Sequence, residues 1–185
     1  MPLRVVSLPA MRVCVFCGSS LGSGARPIAA ARRLGELLAM QRHELVYGGG
    51  SVGLMGVLAD AALAAGGRVI GILPAKLRRR ELAHAGLSEL RITADMAARK
   101  TEMLNTADAF ITLPGGIGTL DELFEVWTLA QIGEHRKPVL LINLDGYYDK
   151  LLAFLRDAVA AGFLADAVFE LLRVYAEPEA AVEAL

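Results

Sequence analysis

Short continuous apolar runs alternate with longer amphipathic stretches along most of the chain. Apolar runs bounded by glycine, proline or aspartate predict buried strands, and the longer segments between them predict helices. The predicted strands are 13–17, 44–47, 68–73, 90–93, 109–113, 139–143 and 171–175. The predicted helices are 27–40, 51–65, 96–107 with Asp95 as N-cap, 119–132, 147–161 and a short helix at the C-terminus.

This alternation predicts an α/β fold. Strands that are apolar throughout belong to a parallel sheet with helices on both faces, so we expect a three-layer sandwich around a mostly parallel central sheet of about six to seven strands. A chain of 185 residues has room for one sizeable core. We therefore expect one domain over residues 11–185, preceded by a flexible extension over residues 1–10.

Composition and charge narrow the function classes. The net charge is −1 and the pI is about 6.3, which argues against a nucleic-acid partner. The apolar stretch 52–65 is interrupted by Asp60 and by glycines, so we expect no membrane span. The first ten residues lack the long apolar region of a signal peptide, which predicts a cytoplasmic protein.

Cys14 and Cys17 form a CxxC pattern, which raises the question of a redox or zinc site. They lie within one predicted strand, where a separation of three residues places them on opposite faces of the sheet. The three histidines are scattered and supply no second ligand pair. We therefore predict two buried free thiols, no metal site and no cofactor.

The stretch 107–131 carries the clearest functional signal. An apolar strand ends at Pro114, glycines follow at 115, 116 and 118, and an apolar helix pattern begins at Thr119. A glycine loop that leads into a helix N-terminus presents backbone N–H groups to an anion, so the expected ligand is a phosphate. Thr119 and Glu122 have the spacing of a capping box, which predicts that both side chains lie beside this loop.

Other polar clusters follow neighbouring predicted strands, and ligands bind at the carboxyl ends of such strands. Arg99 and Lys100 fall in the first turns of a helix, where the helix dipole disfavours cations and a bound anion would compensate. The basic run 78–80 lies in a polar linker and is interpreted as a solvated surface segment. The clusters expected at this edge include Gly18 and Ser19, the loop 48–50 with Gly49, the pair Arg99–Lys100, and the stretch 115–122 with Gly115.

The spacing of Gly48, Gly50 and Gly53 matches a dinucleotide-binding fingerprint. That fingerprint needs an acidic residue at the end of the next strand to hold the ribose hydroxyls, and residues 68–76 contain none. A nicotinamide enzyme is therefore disfavoured.

Four motifs in this order resemble the Lonely Guy (LOG) family of cytokinin riboside 5′-monophosphate phosphoribohydrolases, relatives of which are often labelled lysine decarboxylases. The motifs are G-S-S at 18–20, Y-G-G-G-S-V-G-L-M-G at 47–56, R-K at 99–100 and P-G-G-I-G-T-L-D-E at 114–122. The resemblance implies a Rossmann-like fold, a homodimer, and hydrolysis of the N-glycosidic bond of a purine nucleoside 5′-monophosphate. It places the catalytic pair on Arg99 and Glu122. It also implies substrate contacts at Glu81, Lys100, Gly116, Ile117, Gly118, Thr119 and Thr128. To these we add, as predicted substrate-binding residues of the same loops, Gly18, Ser19, Gly49, Gly115 and Asp121.

The chain also departs from the family pattern. Ala97 and Ala98 stand where His-Glu is common, Ile117 replaces a frequent tyrosine, and Asp121 replaces a frequent glutamate. These changes leave the preferred base open, so AMP is considered beside N6-substituted adenine nucleotides. Two other classes stay open: a pyridoxal-phosphate decarboxylase, for which Lys100 is the lysine at the expected edge, and a non-catalytic nucleotide-binding or carrier module.

Overall fold

A computed structural model describes residues 10–77 and 83–185. Its centre is a sheet of seven parallel strands: β1 Arg12–Phe16, β2 Glu44–Tyr47, β3 Val69–Pro74, β4 Glu89–Thr93, β5 Ala109–Thr112, β6 Val139–Ile142 and β7 Leu172–Tyr175. Their order in the sheet is β4-β3-β2-β1-β5-β6-β7. The sheet confirms the predicted fold class.

Helices cover both faces of the sheet, and each face has its own apolar core. The helices are α1 Arg26–Met40, α2 Gly53–Ala64, α3 Met96–Thr106, α4 Ile117–Gln131, α5 Asp149–Ala160, α6 Asp166–Phe169 and α7 Pro178–Glu183. Helices α1, α2 and α7 pack on one face, and α3, α4 and α5 pack on the other. Cys17 belongs to the core of the first face and Cys14 to that of the second, and both thiols are buried and free, as predicted.

The predicted start of α2 is two residues too early, since the helix begins at Gly53. Two further predicted helix starts are also wrong. Helix α4 begins at Ile117, two residues before the predicted start, because Gly116 adopts the extended conformation of an N-cap residue. Helix α5 begins at Asp149, because a short 3₁₀ turn over Leu144–Gly146 occupies the connection after β6. The difference at α5 leaves two tyrosines, Tyr147 and Tyr148, ahead of the helix and beside the glycine loop.

The predicted extension 1–10 and the basic run 78–80 lie almost wholly outside the described residues. Within residues 10–77 and 83–185, none of the helices has the length and apolarity needed to cross a membrane.

The contact between α1 and α2 depends on a glycine. A Cβ atom built on Gly35 would overlap the carbonyl oxygen of Leu58 and lie 3.0 Å from the backbone nitrogen of Ala62. Both atoms belong to the backbone of α2, which cannot move aside as a flexible side chain can. The two helices therefore approach as closely as they do because position 35 has no side chain.

We predict that Gly35→Ala lowers the free energy of unfolding by about 1–3 kcal/mol, because the overpacking outweighs the helix propensity that alanine adds. Urea denaturation followed by circular dichroism measures this change. Ala29→Ser is the control, since it also adds one heavy atom to α1, but at an exposed position. An equal or higher unfolding free energy for Gly35→Ala would contradict the close helix contact.

Candidate active site

A cleft opens at the carboxyl edge of the sheet between β1 and β5. The chain builds the sheet outward from β1 toward β4 and then from β5 toward β7, so strand order reverses between these two neighbours. Ligands of open parallel sheets bind at this reversal. The cleft has a volume of about 210 Å³ and is lined by Cys17, Ser19, Met55, Arg99, Gly116, Ile117, Gly118, Thr119 and Glu122.

Arg99 and Glu122 form a buried ion pair across the cleft. Arg99 Nη1 lies 3.1 Å from Glu122 Oε1, and the side chains are only 7% and 11% exposed. Arg99 Nε also donates a hydrogen bond of 3.1 Å to the Ile72 carbonyl oxygen at the end of β3. The arginine comes from α3 and the glutamate from α4, so the pair joins two helices that follow different strands. This geometry is consistent with the prediction that Arg99 and Glu122 lie at the same edge of the sheet.

Backbone N–H groups at the start of α4 lie beside this ion pair. The first turn of a helix has no intrahelical acceptors for its N–H groups. A Cβ atom on Gly116 or Gly118 would meet no other atom within 4 Å, so packing within the protein does not require glycine at either position. The absence of side chains at these two positions instead leaves the N–H groups open to an approaching anion. The helix dipole adds a positive potential at the same place.

The predicted capping box is wrong. Gly116 is the N-cap of α4 and makes no side-chain capping bond, which places Thr119 at the third helical position instead of the cap. Thr119 is buried against Gly115, whose added Cβ would overlap the Thr119 hydroxyl. Glu122 therefore does not cap the helix, and its carboxylate pairs with Arg99.

Lys100 is not among the cleft-lining residues, and it forms salt bridges with two carboxylates of α4. Its Nζ is 3.2 Å from Asp121 Oδ2 and 2.6 Å from Glu125 Oε2. The hydrogen bond with Glu125 raises the pKa of Lys100, so the amine is protonated at neutral pH. Carboxylates of α4 thus compensate the charges of Arg99 and Lys100 at the start of α3. From the sequence, a bound anion was expected to do this.

The remaining predicted residues are distributed around the cleft. Gly18 and Gly115 line an adjoining chamber of about 410 Å³, which shares Ser19 and Gly116 with the cleft. Gly49, at φ 78°, is not among the cleft-lining residues, and a Cβ on it would lie 3.3 Å from the Leu73 Cβ. Thr128 is exposed on α4 and is not among the cleft-lining residues. Glu81 lies outside the described residues.

Two neighbours of the site were not predicted, and a third, Gly48, was predicted only as part of the loop 48–50. Met55 lines the cleft from α2 and was visible only as one letter of the motif at 47–56. Cys17 also lines it, and burial, followed by the charge of Glu122, raises the pKa of its thiol, which disfavours a thiolate nucleophile. Gly48 faces Arg99, where a Cβ would overlap Nη2. Among residues 10–77 and 83–185, no three His, Cys, Asp or Glu side chains group as metal ligands.

We predict that Gly48→Ala displaces the Arg99 guanidinium and lengthens its contact with Glu122 beyond 4 Å, because the new methyl group would occupy the position of Nη2. A crystal structure of the variant measures the separation, and thermal unfolding should show a loss of about 1–3 kcal/mol. Gly118→Ala is the matched control, since its Cβ meets no atom within 4 Å. An unchanged ion pair in Gly48→Ala would show that the glycine is not needed to seat the arginine.

Solved structures share this fold. A molybdenum cofactor binding protein from Rippkaea orientalis superposes with a TM-score of 0.71 at 25% identity, covering 96% of both chains. The Moco carrier protein from Chlamydomonas reinhardtii superposes with a TM-score of 0.72 at 22% identity, covering 95% of both chains. At these identities the similarity establishes the architecture and leaves the ligand of this chain undetermined.

Sequence relatives are much more similar. The profile of a family described as "Possible lysine decarboxylase" matches residues 55–185. The cytokinin riboside 5′-monophosphate phosphoribohydrolase LOG7 of Arabidopsis thaliana is 53% identical over 153 residues, covering 83% of this chain and 70% of the relative. LOG3 from the same plant, which carries the same enzyme name, is 51% identical over 161 residues, covering 87% and 75%. This chain therefore belongs to the LOG family of cytokinin riboside 5′-monophosphate phosphoribohydrolases.

Proposed function

We propose that this protein hydrolyses the N-glycosidic bond of a purine nucleoside 5′-monophosphate, releasing the free base and ribose 5-phosphate. The observation that carries the proposal is the buried Arg99–Glu122 pair, which lies beside the open N-terminus of α4 in one cleft. Membership of the LOG family makes a cytokinin nucleotide the first substrate to test.

The chemistry of the bond explains why opposite charges are needed. When the bond between C1′ and the base nitrogen breaks, its electron pair leaves with the base and the sugar gains oxocarbenium character. Glu122 stabilises the positive charge or activates the water that adds to C1′. Arg99 stabilises the negative charge on the departing base, and the released base then takes up a proton from water. Catalytic roles for both residues follow from this scheme.

The 5′-phosphate supplies the orientation. Bound at the N–H groups of Gly116 to Thr119, a phosphate would lie about one helical turn from Glu122, because both belong to α4. Its binding energy would hold the ribose against the carboxylate and so lower the barrier to bond cleavage. The phosphate should therefore affect turnover as well as affinity. Lys100 and Asp121, which lie at the outer edge of this site, are proposed to contribute to substrate binding indirectly through their salt bridge.

The preferred base is the next question. Ile117, where the family often has tyrosine, is 87% exposed at the mouth of the cleft, so its side chain is available to contact a substrate. AMP and an N6-isopentenyl nucleotide are therefore both proposed substrates, and their relative turnover tests which base the cleft prefers. A carrier function for this chain predicts binding of the nucleotide without any release of the base.

We predict that Glu122→Gln lowers kcat roughly 100-fold or more, since it removes the charge that faces the oxocarbenium ion while keeping the shape of the side chain. Release of free base is measured with AMP, with isopentenyladenosine 5′-monophosphate and with the two corresponding ribosides. Monophosphates should be cleaved far better than ribosides.

Glu102→Gln is the matched control. It also removes one carboxylate from an arginine pair, with Arg91 at 2.7 Å, but on α3 away from the cleft. Wild-type turnover in Glu122→Gln would refute the catalytic assignment. Tight binding of either monophosphate by the wild type with no base released would favour the carrier function.

We also propose a homodimer that uses α4. The helix packs Leu123, Val126 and Trp127 on the sheet and leaves apolar side chains on its outer surface, with Ile132 just beyond its end 62% exposed. A second copy of this chain would remove these side chains from water, and apolar burial contributes about 25 cal/mol per Å². Burial against the sheet and against a second subunit would together account for a helix that is apolar almost all round.

We predict that multi-angle light scattering gives a mass of about 39 kDa, twice the 19.7 kDa of one chain. Ile132→Glu should shift the mass toward one chain, because a carboxylate in an apolar interface is costly to desolvate. Phe163→Glu is the control, since Phe163 is 91% exposed on the loop after α5. A wild-type mass of one chain at all concentrations would contradict the dimer.

A further inference from the structure

Side chains and backbone hold three consecutive carbonyl groups of the glycine loop. The Leu113 oxygen accepts from the Tyr148 hydroxyl at 2.9 Å, and the Pro114 oxygen accepts from the Gly18 N–H at 3.1 Å. The Gly115 oxygen accepts from the Tyr147 hydroxyl at 2.8 Å. Every peptide carbonyl between the end of β5 and the N-cap of α4 is thus held by a donor from another loop.

Holding a carbonyl also sets the direction of an N–H group. In a trans peptide the C=O and the following N–H point in opposite directions from one plane. The contact of Tyr147 with the Gly115 oxygen therefore turns the Gly116 N–H away from Tyr147. Gly116 lies where the chamber that contains Tyr147 adjoins the cleft that contains Glu122. An N–H that leaves the loop on the side opposite Tyr147 is compatible with a donor that faces the cleft.

The connection that carries Tyr147 is itself well braced. The Asn143 side chain accepts from the Tyr148 N–H at 2.7 Å and donates to Asp149 at 2.7 Å. The rings of Tyr147 and Tyr148 meet edge to face at 4.7 Å between centroids. Tyr147 is nevertheless 56% exposed, so its hydroxyl contributes little to the core. An exposed tyrosine held this firmly is suited to positioning the glycine loop.

We propose that Tyr147 is a positioning residue for the anion site: its hydroxyl fixes the Gly115–Gly116 peptide so that the Gly116 N–H faces the 5′-phosphate. The inference rests on the proposed function, in which the start of α4 receives that phosphate. Without the hydroxyl, the peptide can rotate, and one donor to the phosphate is lost or misdirected. The residue acts on phosphate affinity and leaves the Arg99–Glu122 pair in place.

The test compares Tyr147→Phe with the wild type and with Tyr175→Phe, which removes a hydroxyl at the end of β7 outside the glycine loop. Tyr147→Phe should raise KM for a nucleoside 5′-monophosphate roughly three- to tenfold, the effect of losing about one hydrogen bond, with a smaller decrease in kcat because the remaining N–H groups still orient the phosphate. The inhibition constant of inorganic phosphate should rise by the same factor. Cleavage of the corresponding riboside, which has no phosphate, should be unchanged in both variants.

Two results would overturn the inference. One is an unchanged KM and an unchanged inhibition constant for phosphate in Tyr147→Phe. The other is an equal loss with monophosphate and riboside, which would indicate a general structural defect. If the wild type cleaves neither substrate, the proposed function fails, and calorimetric binding of inorganic phosphate decides the inference alone: weaker binding by Tyr147→Phe supports it, and equal binding overturns it.

Discussion

The Arg99–Glu122 ion pair is the interaction on which the arrangement of the cleft depends. Removing a guanidinium and a carboxylate from water costs several kcal/mol for each ion, and mutual attraction offsets that cost only where further hydrogen bonds complete the geometry. The Ile72 carbonyl supplies one such bond to Arg99, and Gly48 leaves the volume that the guanidinium occupies. A buried ion pair of this kind contributes little to the net stability of the fold. A role in the chemistry of the site is therefore the better reason for its presence.

The topology of the sheet brings the two ions together. Glu122 follows β5, Arg99 follows β4, and the Ile72 carbonyl lies near the end of β3. Because all seven strands are parallel, every one of these segments leaves the sheet at the same edge. The strand order also reverses between β1 and β5, so the loops that follow these two strands lie side by side, joined by the hydrogen bond from the Gly18 N–H to the Pro114 oxygen.

Most of the sheet and part of the candidate site are predictable from local sequence patterns. Continuous apolar runs such as 109–113 predict the buried parallel strands. Arg99 is identified as a cation in the first turns of a helix, Glu122 by its position beside the glycine loop, and the resemblance to the LOG family joins the two as a catalytic pair. The prediction of a capping box is wrong because the spacing of Thr119 and Glu122 is the same whether Thr119 is the N-cap or lies in the first helical turn. Here a glycine takes the N-cap position. The contact between Tyr147 and the glycine loop was not predictable, since it requires β6 to lie beside β5, and no local pattern encodes strand order.

The same fold occurs in a molybdenum cofactor binding protein and in a Moco carrier protein, so architecture alone does not separate holding a ligand from cleaving it. What separates them physically is charge placed where charge develops during the reaction. The proposed anion site at the start of α4 would be sufficient to hold a phosphate. The carboxylate of Glu122 adds nothing to that binding, because it carries a negative charge that Arg99 already neutralises. The same carboxylate would stabilise a positive sugar in a transition state. A buried carboxylate about one helical turn from the proposed anion site is therefore better explained in an enzyme than in a carrier.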